Sequence, residues 1–156
     1  MTFMKRHRPP RLQTLHSDVR PFYMLTLNTH KRKLILGQED MHRTFLDFCR
    51  RAADHGVAVG RYVIMPDHIH LFVAFQLEMM TLPKWVKALR TVMGKRLTEL
   101  GVSRPHWQEG FFDHVLRNGE SYSQKWEYMR QNPVRAGLVS VSDEWPYQGE
   151  VVAIKF

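Results

Sequence analysis

Cysteine is nearly missing from this chain. Of 156 residues only Cys49 carries a thiol, which excludes an internal disulfide and a cysteine-rich zinc cage and fits a reducing compartment. Cys49 shares a helical face with Phe45, Phe48 and Ala52, so it reads as a small buried apolar group. Long apolar runs are missing too: no stretch of about 18 apolar residues could span a bilayer. The basic start from Met1 to Arg11 leads into no apolar signal core. The chain is therefore read as cytoplasmic, with no membrane partner. Negative charge is scarce, with 15 Asp and Glu against 23 Lys and Arg, a formal net charge of +8. A surplus of this sign favours a nucleic-acid partner, because neutralising phosphates releases counterions. No internal repeat interrupts the chain.

What is present divides into a basic N-terminal arm, residues 1–21, and one domain, residues 22–156. Lys5, Arg6, Arg8 and Arg11 of the arm are candidate DNA contacts, and its prolines forbid a regular helix. Phe22 to Thr29 has strand composition. Met41 to His55 carries apolar residues at helical spacing and stops at Gly56. Val57 to Met65 and Ile69 to Phe75 form an antiparallel hairpin about Pro66-Asp67. Leu82 to Leu100 is a long amphipathic helix with Lys84, Lys87 and Lys95 on its polar side, a solvated face by default and otherwise further candidate DNA contacts. Two short extended pieces surround Gly110, and a last helix runs from near Glu120 to before Pro133. This order is the split β-α-β pattern of an α+β fold: an antiparallel sheet with helices on one face, the other face left open, and an additional C-terminal helix.

Met65-Pro66-Asp67-His68-Ile69-His70-Leu71 holds the sharpest signal. Residues two apart on a strand share a face, so His68 and His70 can offer two imidazoles to one metal ion. The last helix carries Tyr128, with amides at Gln131 and Asn132. Either could be a third, oxygen ligand, and Asn132 is preferred because i+4 lies most nearly beneath the tyrosine. Blander readings exist: two solvent-facing histidines, a packing tyrosine, and an Asn at a helix end before proline. Two histidines and an amide oxygen leave positions open on a divalent ion for a phosphate. A phenol with a pKa of about 10 is a poor nucleophile at neutral pH, so the phosphate must be polarised for Tyr128 to attack it.

The runs Met65 to Leu71, Trp107 to His114 (Trp-Gln-Glu-Gly-Phe-Phe-Asp-His) and Tyr128 to Val139 together closely resemble the REP-associated tyrosine transposases of the HUH single-strand nuclease superfamily, relatives of the small insertion-sequence transposases. The resemblance spans about Phe22 to Val139. It implies a ferredoxin-like fold, with His68, His70 and Asn132 holding Mg2+ or Mn2+ and Tyr128 as nucleophile. The implied activity is cleavage and rejoining of single-stranded DNA near palindromic REP-like hairpins through a covalent 5′-phosphotyrosine. Small relatives act as dimers, which leaves a homodimer open. Asp113 and His114 match a family motif and are expected as a buried, hydrogen-bonded supporting pair. Arg117, Arg130 and Arg135 are further candidate phosphate contacts. The competing readings are a non-catalytic module that binds hairpin or single-stranded nucleic acid, and hydrolysis by an activated water without a covalent intermediate.

Overall fold

The computed structural model describes residues 14–16, 22–76 and 80–155. The elements in chain order are β1 (Thr14–His16), β2 (Phe22–Asn28), α1 (Glu39–Ala53), β3 (Val57–Ile64), β4 (His68–Phe75), α2 (Leu82–Glu99), β5 (Phe112–Leu116), α3 (Gly119–Arg130), α4 (Asn132–Arg135), β6 (Gln148–Glu150) and β7 (Ala153–Lys155). Five strands form an antiparallel sheet in the order β5-β2-β4-β3-β6, and β1 pairs with β7 in a separate parallel ladder.

Alternation along β2 and β4 divides the apolar residues between two faces. Leu25, Leu27, Ile69, Leu71 and Val73 turn to one side, where Phe45, Cys49, Trp85, Leu89 and Met93 of α1 and α2 complete the main core. Cys49 is fully buried there, and burial pushes its thiol well above the usual value. The opposite face was expected to stay open. It is covered in part by Tyr122 and Met129 of α3 and by Trp145 and Ile154 from the C-terminal segment, which join Phe22, Val63 and Phe72 in a second cluster. The indole Nε1 of Trp145 donates to the Ile64 carbonyl at 3.0 Å. Among the described residues no helix is long and apolar enough to cross a membrane.

Three of the residues assigned to the arm, Thr14–His16, form β1; Lys5, Arg6, Arg8 and Arg11 lie outside the described residues. Of the two extended pieces about Gly110, one is β5. The other is a single bridge between Trp107 and Thr29.

Candidate active site

His68 and His70 open β4 on the face that α3 covers. Thr26 and Asn28 of β2 stand directly opposite His70 and His68, and Val63 of β3 flanks His70 on the other side. The two imidazole centroids are 4.7 Å apart with planes at 80°. His70 Nδ1 lies 2.9 Å from Thr26 Oγ1, and His68 Nδ1 lies 2.7 Å from Asp67 Oδ1. With both Nδ1 atoms engaged, the Nε2 atoms are the nitrogens left for a ligand, and partners of this kind fix ring orientation and tautomer at metal sites.

Arg32 supports this arrangement from the other side of Asp67. Its Nε donates to Asp67 Oδ2 at 2.9 Å and its Nη1 to Asn28 Oδ1 at 3.1 Å. Lys31 and Arg32 adopt left-handed backbone, at φ 51° and 54°, a conformation that costs a residue with a side chain of order 1–3 kcal/mol. Thr29 holds the turn in place: its hydroxyl donates toward the carbonyls of Lys33 (2.8 Å) and Asp67 (3.1 Å), while the His30 amide donates to His106 O at 2.9 Å.

Burial first, then the positive charges of a protonated His68, Arg32 and Arg135, bring the His70 pKa down to about 4. Burial also lowers His68, against the opposing pull of Asp67. For Asp67 burial acts upward, but hydrogen bonds from His68 and Arg32 prevail and hold its carboxyl below the usual value. At neutral pH both imidazoles are therefore neutral, the form that ligates a cation.

Tyr128 lies near the C-terminal end of α3, 68% exposed. The helix breaks at Gln131 and resumes at once as α4, with Pro133 in its first turn. Gln131, between Tyr128 and Asn132, keeps right-handed helical backbone, and the Arg135 amide bonds its carbonyl at 2.9 Å. Arg135 joins the two. Its guanidinium carbon sits 4.1 Å from the Tyr128 ring centroid, and Nη2 donates to the Tyr128 carbonyl at 2.7 Å and to Asn132 Oδ1. The positive charge of Arg135 is also one of those that lower the His70 pKa, after burial, His68 and Arg32.

Other expected residues fall elsewhere. Lys84, Lys87 and Lys95 are exposed on α2, whose buried side packs on the sheet face opposite the histidines, and Arg117 is exposed after β5. Arg130 is engaged within the chain, its Nη2 donating to Ser142 Oγ at 2.8 Å and Asp143 Oδ1 at 3.2 Å. The supporting pair of Asp113 and His114 is corrected: both are exposed, and as neighbours on edge strand β5 they point to opposite faces. Sequence reasoning missed Thr26, Asn28 and Arg32, and treated Asp67 only as a turn residue. A polar pair alternating with Leu25 and Leu27 on β2 was the available signal for the first two. Nothing in the spacing reveals that Arg32 folds over Asp67.

Residues 21–131 match the family model described as Transposase IS200 like. The chain belongs to this family. It is a tyrosine transposase of the HUH nuclease class. The match takes in His68, His70 and Tyr128 and stops one residue before Asn132. The transposase is 25% identical over 130 residues to the REP-associated tyrosine transposase of Escherichia coli (strain K12), covering 81% of this chain and 73% of that one. The solved structure of a REP-associated tyrosine transposase bound to a REP hairpin aligns with a TM-score of 0.63 at 19% identity, over 95% of this chain and 82% of the other. The fold of the transposase is thus that of its structural relative.

Among the described residues, no three of His, Cys, Asp and Glu gather into a metal-binding group. The side chains expected from the sequence as ligands are of another kind, two imidazoles and the amide of Asn132, whose Oδ1 accepts from Arg135 here; nitrogen and oxygen donors of this sort would suit a divalent ion with open positions better than a closed zinc cage.

Proposed function

We propose that this transposase cuts and rejoins single-stranded DNA beside palindromic, REP-like hairpins, with Tyr128 as nucleophile and His68, His70 and Asn132 as ligands of Mg2+ or Mn2+. The observation that carries the reading is the pair of neutral imidazoles whose Nδ1 atoms Thr26 and Asp67 occupy, on the sheet face that α3 covers. The hairpin preference is carried over from the relatives that bear the REP name.

A divalent ion held by His68, His70 and Asn132 would supply Lewis-acid withdrawal of charge from the scissile phosphate. The residues of the chain do the rest. Thr26 and Asp67 keep the ligating nitrogens aimed, and the exposure of Tyr128 lets a strand reach its hydroxyl. The Tyr128 Oη–P bond forms as the P–O3′ bond breaks; the phenolic proton leaves to solvent and the departing 3′ oxygen takes up a proton. The products are a 5′-phosphotyrosine and a free 3′-hydroxyl. The ester retains the bond energy of the phosphodiester, so a DNA hydroxyl can reverse the step. Arg135, stacked on Tyr128, supplies positive charge beside the phosphate.

The test is incubation with end-labelled single-stranded hairpin oligonucleotides, with Mn2+ or EDTA, and a denaturing gel. The expected result is a metal-dependent protein-DNA adduct that vanishes in Tyr128→Phe while affinity stays nearly unchanged. Cutting by that variant would remove Tyr128 from its role. Cut DNA without an adduct would favour an activated water, and tight binding without cutting a non-catalytic binding module.

A further inference from the structure

A groove of about 710 Å³ opens on the helix side of the sheet, between α2 and residues 104–107. Four cationic side chains line it, Lys87, Arg90, Lys95 and Arg104, and no acidic residue does among the described residues. Arg90 is the innermost of these. Its guanidinium lies 5.7 Å from the Trp107 ring centroid and donates to the Gly110 carbonyl, yet its Nε is buried with no hydrogen-bond partner among the described residues. Trp107 is fixed in turn by its indole N–H, which donates to the Arg90 carbonyl at 3.1 Å. Gly94 lets the 105–107 segment come this close, since a Cβ there would stand 3.3 Å from His106 Nδ1.

The far wall of the groove leads to the active site. Trp107 bridges Thr29, and the Gln108 amide bonds the carbonyl of Asn28 at 3.0 Å. Asn28 stands opposite His68. The wall therefore runs along the end of the sheet where β4 begins with the histidines. A concave cluster of four cations with no acidic side chain among its described lining favours an anion small enough to enter. Since the groove wall runs to the end of the sheet that carries the histidines, the strand that Tyr128 would cut is the occupant it suits, rather than a hairpin stem.

We infer that this groove binds phosphates of the single-stranded DNA that flanks the cleavage site, holding the strand on the helix side before it turns round the end of the sheet to Tyr128. The inference rests on the function proposed above and names where its substrate is held.

Two probes separate the outcomes: a blunt fluorescent hairpin oligonucleotide, and the same hairpin carrying single-stranded thymidine tails. Binding is read by anisotropy in EDTA with the Tyr128→Phe protein, so the result does not depend on the nucleophile assignment. Replacing three exposed cations together (Lys87→Ala, Lys95→Ala, Arg104→Ala) is expected to weaken binding of the tailed probe about tenfold or more, the scale expected when several phosphate contacts are lost. Binding of the blunt probe should hold, which also reports that the variant is folded. Equal loss on both probes would place duplex on the groove and overturn the inference; so would unchanged binding of the tailed probe.

Discussion

Thr26 and Asp67 touch no substrate in the proposed reaction, yet they decide which nitrogen each imidazole presents. Removing such partners at metal sites costs 10–100-fold in metal affinity or activity. Thr26→Val and Asp67→Asn should each weaken Mn2+ binding by roughly that factor, measured by calorimetry; unchanged affinity would mean that the hydrogen bonds at 2.9 and 2.7 Å do not aim the rings. Partly buried histidines set a pH dependence. His42, His68 and His70 all titrate below their usual value, chiefly through burial, with His70 at about 4. A depressed histidine contributes stability that is complete above its unfolded pKa of about 6.5 and is lost as pH falls toward its folded pKa, because the unfolded chain then binds more protons. Asp67, also depressed, adds a loss at lower pH. The melting temperature in EDTA should therefore fall as pH drops from 6.5 to about 4. A flat profile across that window would show that these imidazoles are not buried as described.

At the scale of elements, most of the sheet and its main helices were legible because each repeats a period. Alternation in Phe22–Asn28 and in the hairpin, and the three-and-four spacing of Leu82, Trp85, Val86, Leu89 and Met93, marked β2, β3, β4 and α2 to within a few residues. The cover on the second face was not legible. Strands β6 and β7 have three residues each, too few to show a period; Ile154 reaches the sheet from β7 and Trp145 from irregular chain. A two-residue spacing disclosed His68 and His70, but the network of Arg32, Asp67 and Asn28 depends on a left-handed turn at residues without a glycine signal. The docking of α3 gives a direct test. A Cβ on Gly60 would come within 2.7 Å of Tyr122 Oη and 2.8 Å of Ile154 Cδ1. Gly60→Ala should therefore push α3 and β7 outward and cost about 1–3 kcal/mol, as overpacking does, lowering the melting temperature. A variant as stable as the parent would mean the second cluster is loosely packed.

For the whole molecule, the net charge of +8 becomes a statement about ionic strength once the substrate is DNA. Log affinity for a single strand should fall linearly with log salt, with a slope of about 0.7 for each phosphate neutralised. Titrations of a tailed hairpin at several salt concentrations should give a slope worth several phosphates. A slope near zero would leave the excess of lysine and arginine unrelated to binding.

The parallel ladder of β1 and β7 sets Leu15 beside Ile154, which puts the order of events during synthesis into the architecture. At about 5–20 residues per second, roughly 7–28 s separate the making of these two residues. The hairpin of β3 and β4, joined by only a short turn, can close long before then, because short loops cost little entropy and form quickly. The pairing of β2, β4 and β3 around the histidines can thus form on a nascent chain while β1 still waits for β7, and the clasp closes late.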